Sequence, residues 1–132
     1  MVDELKVLSI GNSFSMDTMR RLGSVARGMG MKKVKLWNLY VPGCPVGWHY
    51  KHAMEDTPAY ICYMNTGNGW SERPDFKISE ALADDQWDWI NIQHGSAGGG
   101  GYTDPAYYVK LPALVAYVKR LAPTAKISFN LT

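Results

Sequence analysis

A chain of 132 residues, 46% of them hydrophobic, is long enough for one domain with a real core but short for a complete α/β enzyme. Its net charge of +2, with no basic run interleaved with aromatic residues, gives no reason to expect a nucleic-acid partner. No window reaches the ~20 apolar residues of a membrane helix, and the charged opening MVDELK is unlike a signal peptide. No membrane contact is therefore expected, and the compartment stays undetermined.

The first element is predicted by the segment LKVLSIGNSFS at residues 5–15. Its apolar run with β-branched members is typical of a strand buried on both faces, and the run stops at Gly11. An amphipathic helix is predicted from about Met16, so Ser13 falls beside a helix N-terminus, where free N–H groups and the helix dipole favour negative charge. A nucleophilic hydroxyl or a bound phosphate would be placed there.

The first helix is predicted by apolar residues that recur every three or four positions. These residues are Met16, Met19, Leu22, Val25, Ala26 and Met29. Ser15 is the expected N-cap, and Gly28 and Gly30 are expected to end the helix.

The second strand, KVKLWNLYV, is centred on residues 34–41 and ends at a Pro-Gly turn. Farther along, an alternating stretch followed by NTGNG predicts a small hairpin over residues 59–73. Because this hairpin interrupts the alternation of strands and helices, it is interpreted as an insertion. Residues 78–82 suggest a short helix.

Four side chains between the second strand and the hairpin have metal-ligand chemistry. They are His49, His52, Glu55 and Asp56, on a predicted loop or short helix. No Cys/His pair elsewhere completes a site, so a surface or core role is favoured and no metal is expected. Cys44 and Cys62 have no spacing that demands a disulfide and are interpreted as small buried residues.

The third core strand, WDWINIQ, covers residues 87–93 and precedes the Gly-rich run HGSAGGGG. Asp104 and Pro105 then predict a helix start, and Pro112 either kinks that helix or starts a second one. The apolar stripe of this helix is Leu111, Leu114, Val118 and Leu121. The last segment, KISFNLT, predicts a fourth core strand.

This order of elements predicts an α/β fold of the flavodoxin-like, three-layer α/β/α type in a single domain of residues 1–132. The sheet is expected to contain about four parallel core strands, with the hairpin as an addition. In the flavodoxin-like order the first and third core strands are neighbours, and ligands bind outside the carboxyl ends of the strands there. Three loops should therefore meet: residues 11–15, 42–44 and 93–98.

These three loops resemble conserved blocks of the SGNH (GDSL-type) hydrolases, a superfamily of serine esterases and acyl-ester hydrolases on a flavodoxin-like sheet. IGNSFS resembles the family's Gly-Asp-Ser turn, which implies that Ser13 is the catalytic nucleophile and its backbone N–H the first oxyanion donor. VPGCP supplies Gly43, whose N–H would be the second donor. In the third block Ala97 stands where the family has Asn, and Gln93 would supply the amide instead, as in some carbohydrate-esterase branches.

The resemblance covers the N-terminal half to two-thirds of the family's fold, and no Asp-x-x-His block follows. Either the general base comes from residues beyond Thr132, the reading we favour, or His94 acts as an alternative base. The implied function is a serine esterase of acyl esters, with acetylated carbohydrate as the leading substrate, no cofactor, and impaired activity in this chain alone. An open sheet edge also predicts a homodimer or a complementing C-terminal fragment as partner.

The alternative from another class is a binding module. Residues 13–18, SFSMDT, resemble the hydroxyl-rich phosphate loop of flavodoxins, and aromatic residues are plentiful enough to sandwich a flavin. Against this reading, Met16 occupies a position where a phosphate loop needs Gly for close backbone approach. A non-catalytic remnant that binds sugar or a partner chain is a third reading.

Overall fold

A computed structural model of the chain describes residues 4–44, 46–67, 69–93 and 105–130. This part of the chain contains six strands and four helices. The strands are β1 (Glu4–Gly11), β2 (Lys33–Tyr40), β3 (Tyr60–Asn65), β4 (Trp70–Phe76), β5 (Trp89–Gln93) and β6 (Lys126–Asn130). The helices are α1 (Ser13–Gly28), α2 (Val46–Glu55), α3 (Ile78–Asp84) and α4 (Pro105–Leu121).

All six strands form one sheet in the order β4-β3-β2-β1-β5-β6. The four strands β2, β1, β5 and β6 run parallel, which confirms the predicted α/β fold with four parallel core strands. β1 lies between β2 and β5, so the first and third core strands are neighbours as expected. The carboxyl ends of these strands therefore lie side by side at one end of the sheet.

The predicted hairpin forms and extends the sheet beyond β2. β3 pairs antiparallel with β2, from Leu36 opposite Asn65 to Tyr40 opposite Ile61, and β4 pairs antiparallel with β3. The hairpin runs to Phe76, three residues farther than predicted. Its outer strand carries charged residues and Pro74, which suits a strand whose outer edge faces solvent.

Helix α1 covers one face of the sheet, over β1 and β2, with Met19 and Ala26 buried against Val7 and Leu36. The predicted stripe is wrong in part, because Val25 and Met29 are 55% and 82% exposed. Gly23 takes the central position instead. A Cβ there would lie 3.3 Å from Leu36 Cδ1, so the missing side chain lets the helix approach the sheet closely.

The opposite face is covered by α2, α3 and α4, which pack against the other side chains of the same strands. The largest buried side chains include Trp87, Tyr60, Leu8, Ile10, Leu39 and Leu114. Helix α4 is one continuous helix with Pro112 inside it, so no second helix starts there. On that helix Leu114 and Val118 are fully buried, whereas Leu121 is 41% exposed.

On the face that carries α1, no described helix covers β5 and β6. A groove of about 340 Å³ opens there between α1 and the sheet, lined mainly by apolar side chains. Its lining includes Leu5, Val7, Met19, Leu22 and Trp89. The Trp89 indole is 41% exposed, so this part of the sheet keeps an apolar surface open.

Candidate active site

The turn between β1 and α1 is built by three consecutive residues. β1 ends at Gly11, Asn12 follows, and Ser13 is the first residue of α1. The Asn12 carbonyl accepts the first hydrogen bond of the helix, from Met16 N–H at 3.3 Å. Asn12 therefore occupies the N-cap position, and the predictions of Ser15 as N-cap and of a helix start near Met16 are wrong.

Ser15 holds this turn from inside the helix. Its Oγ accepts the Asn12 N–H at 3.0 Å and lies 2.7 Å from the Asn12 carbonyl oxygen and 3.0 Å from Asn38 Oδ1. All three residues are fully buried. The hydroxyl closes the same pair of positions as a capping box, so the backbone that presents Ser13 is fixed by buried polar contacts.

Gly11 is required by the closeness of its neighbours. A Cβ at this position would lie 2.7 Å from Ser15 Cβ and 3.0 Å from Gln93 Cβ. Real Cβ atoms essentially never come as close as 2.7 Å to another carbon, and both neighbours are buried, so neither can move aside freely. The glycine thus allows β1, the start of α1 and the end of β5 to meet.

The loop after β2 is tied to the same turn. Val41 N–H donates to the Gly11 carbonyl at 3.2 Å, and Asn12 Nδ2 donates to the Cys44 carbonyl at 3.3 Å. Gly43 lies between them with φ of 63°, in the left-handed region that glycine adopts without strain. Two hydrogen bonds therefore hold the Gly43 segment beside the Asn12–Ser13 turn.

Gln93 is the last residue of β5 and is 1% exposed. It pairs with Asn130 of β6, while its Cβ faces Gly11 of the neighbouring β1. The carboxyl ends of the three parallel strands β2, β1 and β5 thus meet beside Gly11. The Ser13 side chain, Ala97 and His94, the alternative base, lie outside the described residues.

The family model that matches this chain covers residues 6–131 and is described as a domain of unknown function, DUF4886. The chain belongs to the DUF4886 family. A solved structure of a DUF4886 family protein from Bacteroides uniformis ATCC 8492 is similar, with 29% sequence identity and a TM-score of 0.85. The match covers 96% of this chain and 49% of the Bacteroides protein, so the chain spans about half the length of that relative. No curated protein matches the chain.

In this DUF4886 domain neither Cys44, whose carbonyl is bonded to the turn, nor Cys62 of β3 has an activated thiol. Burial raises the pKa of the Cys44 thiol to about 12, and the pKa of Cys62 is likewise raised to about 12. Neither cysteine forms a disulfide within the part of the chain that the structure describes, and both are buried, in line with the sequence interpretation. Because a protonated buried thiol is a poor nucleophile, a cysteine mechanism at this turn is disfavoured.

The histidines of α2 do not form a metal centre with their acidic neighbours. His49 is fully buried; its Nδ1 lies 2.7 Å from the Tyr60 hydroxyl and 3.5 Å from Cys44 Sγ. The described residues contain no group of three or more His, Cys, Asp or Glu side chains that could hold a metal ion. His49 instead links α2 and β3 to the segment that carries Gly43.

No described helix of this DUF4886 domain is long and apolar enough to cross a membrane.

Two residues that hold the turn in place were not predicted from the sequence. Asn38 interrupts the apolar run of β2, and its Oδ1 lies 3.0 Å from the Oγ of Ser15 in helix α1. A fully buried amide in the middle of a parallel strand is a signal that could have been used, because such a group needs a partner. The second residue, Asn12, stands where the Gly-Asp-Ser turn that this segment resembles has Asp, and no sequence pattern predicts its hydrogen bond to Cys44.

Proposed function

We propose that this DUF4886 domain belongs to a serine esterase-type hydrolase of acyl esters, with Ser13 as the nucleophile. The observation that supports the proposal is the meeting of three strand ends around Gly11. Backbone and side-chain hydrogen bonds tie the segments of Gly43 and Ser13 together, and Gln93 packs against the same glycine. Acyl transfer by serine needs such a meeting, because the hydroxyl and the oxyanion donors must converge on one carbonyl.

In the proposed reaction the Ser13 hydroxyl oxygen attacks the ester carbonyl carbon. The carbonyl oxygen becomes an oxyanion held by the N–H groups of Ser13 and Gly43, with the Gln93 amide as third donor. The general base takes the Ser13 proton in this attack and gives it to the leaving oxygen as the intermediate collapses, so the alcohol departs and an acyl group stays on Ser13. Water, deprotonated by the same base, then attacks the acyl carbon and releases the carboxylic acid and the Ser13 hydroxyl. The first residue of a helix suits this role, since its N–H has no partner within the helix and the helix dipole stabilises negative charge.

The general base is the open component of the proposal. His94, directly after β5, is one candidate, and a histidine supplied by polypeptide outside these residues is the other. Without a base, the oxyanion donors and binding alone sustain about 10³-fold to 10⁴-fold catalysis over water. Where the base lies outside these residues, slow turnover is expected of the 132-residue chain.

The experiment is hydrolysis of p-nitrophenyl acetate, an activated ester whose release is followed by absorbance. The wild-type chain should exceed the buffer rate, and Ser13→Ala should be slower than wild type, keeping only the residual rate that the oxyanion donors and binding supply. Ser24→Ala is the matched control, because Ser24 is exposed on the same helix and should behave as wild type. Equal rates for wild type and Ser13→Ala would contradict the proposal.

A further inference from the structure

A second groove lies on the α1 face of the sheet, on the side of β2 opposite to β5. It has a volume of about 260 Å³ and lies between the first half of α1 and the β3–β4 hairpin. Its lining combines aromatic, apolar, polar and charged side chains. These residues are Met16, Arg20, Tyr63, Trp70, Ser71 and Glu72. This composition differs from that of the larger apolar groove beside Trp89.

The register of the sheet explains why the hairpin forms the floor of this groove. Tyr63 lies opposite Asn38 of β2, and Glu72 lies opposite Tyr63. Residues directly opposite in antiparallel strands share a face. Since Asn38 contacts Ser15 of α1, this shared face is the one that α1 covers. Helix α1 therefore forms one side of the groove, and the face of the β3–β4 hairpin beside it forms the base.

One end of the groove begins close to Ser13. Met16 follows Ser13 by three residues and Arg20 by seven, which correspond to about 4.5 Å and about 10 Å along the helix axis. Tyr40, which pairs with Gly11, packs its ring against that of Tyr63 at 5.6 Å and 80°. The groove thus runs away from the turn that presents Ser13, along the first half of α1.

The lining chemistry fits a neutral, polyhydroxylated ring. Trp70 is 37% exposed and offers part of its indole to a ligand, which suits the C–H face of a sugar ring. Arg20 supplies only donors and Glu72 only acceptors, and sugar hydroxyls can serve both. An acyl chain would desolvate these two charges without replacing their hydrogen bonds, and for an anionic ligand the attraction of Arg20 is opposed by the repulsion of Glu72.

We propose that the groove between α1 and the β3–β4 hairpin binds a sugar residue of the substrate, with Trp70 as its stacking platform. The ester cleaved at Ser13 is then one carried by a carbohydrate. The inference rests on the proposed function for the ester bond, whereas sugar binding itself needs no catalysis. The test is therefore a binding measurement.

The 132-residue chain is titrated with tetrasaccharides of xylose, glucose, mannose, galactose and N-acetylglucosamine, and the indole N–H resonances are followed by NMR. At least one sugar should shift the Trp70 signal, and Trp70→Ala should weaken its binding by roughly tenfold. Trp48→Ala is the matched control, because Trp48 is 49% exposed on α2, away from the groove. This variant should bind as wild type does.

Absence of any shift across the five sugars, or equal binding by Trp70→Ala and wild type, would overturn the proposal. Trp70-dependent binding of decanoate instead of sugars would assign the groove to an acyl chain and would also overturn it. Failure of the groove is distinguishable from failure of the esterase. Ser13-dependent hydrolysis of p-nitrophenyl acetate without sugar binding rejects only the groove, and sugar binding without hydrolysis rejects only the esterase.

Discussion

Asn12 contributes its amide N–H group to the site, and this distinguishes it from an aspartate at the same position. Nδ2 donates to the Cys44 carbonyl in a fully buried setting. A carboxylate has no donor and would face that carbonyl oxygen with its negative charge. The bond links the turn before Ser13 to the segment that carries Gly43, so the identity of this side chain affects both.

The variant Asn12→Asp should be destabilised by about 2–3 kcal/mol at pH 7, measured by urea unfolding, because a buried charge replaces a donor. Burial should raise the pKa of the new carboxyl in the folded state. The penalty should therefore be present at neutral pH and shrink as the pH falls through that raised value. The deficit relative to wild type is expected to be smaller at pH 5 than at pH 7.

Asn65→Asp is the matched control. Asn65 is 7% exposed, but its Oδ1 accepts the Gly67 N–H at 2.8 Å, and a carboxylate oxygen can accept the same bond. Its loss of stability should be clearly smaller than that of Asn12→Asp. Equal losses for the two variants would mean that the donor to Cys44 has no special weight.

At the scale of elements, the strands were predictable because their signals are local. Each apolar run, in β1, β2 and β5, and the Gly-containing turn of the hairpin is contained within a few consecutive residues. The orientation of α1 was not, because hydrophobicity favours Val25 and Met29 whereas close packing favours Gly23. The face that α1 buries depends on its packing against Leu36 of β2, which lies outside the helix segment itself.

The candidate site was likewise predictable only in part. Gly11, Gly43 and Gln93 could be grouped from the sequence, because the carboxyl ends of neighbouring parallel strands meet. The contacts of Asn12 with Cys44 and of Ser15 with Asn38 could not, since each joins residues more than twenty positions apart. Pairings of this kind follow from the finished register of the sheet and leave no periodic pattern.

An ion-pair cluster fastens the other end of the sheet. Lys35 Nζ lies 2.6 Å from Asp84 Oδ2 and 3.0 Å from Asp85 Oδ2, and Lys6 Nζ lies 2.9 Å from Asp85 Oδ1. Hydrogen bonds from Lys6 and then Lys35 hold the pKa of Asp85 at about 2, below its ordinary 3.8. The cluster joins β1 and β2 to the end of α3.

Because the folded-state pKa of Asp85 is lowered, its stabilisation is present above pH 4 and is lost as the pH falls towards 2. Wild type should therefore lose more free energy of unfolding between pH 7 and pH 3 than Asp85→Asn does. Asp75→Asn, at an exposed position on β4, serves as control and should keep the wild-type pH dependence. An unchanged slope in Asp85→Asn would contradict the assignment.

At the scale of the whole molecule, the described sheet has one protected edge and one that is less protected. β4 carries Pro74 and charged side chains, whereas β6 combines an open edge with the apolar groove beside it. Exposed strand edges and apolar grooves favour association. We propose that a second copy of the chain covers this surface when the 132 residues are studied alone.

Sedimentation equilibrium should then give a dimer, and Trp89→Lys should shift the chain to monomer because a charge enters the apolar groove. Trp48→Lys is the control on the other side of the molecule and should leave the dimer intact. A wild-type chain that stays monomeric at every concentration would rule out this covering.

The most direct test of the central claim is covalent labelling by a fluorophosphonate probe, followed by peptide mapping. The account predicts one adduct per chain, located on Ser13, and its loss in Ser13→Ala but not in Ser24→Ala. A chain that remains unlabelled, or whose adduct persists in Ser13→Ala, would contradict a nucleophile at the junction of β1 and α1.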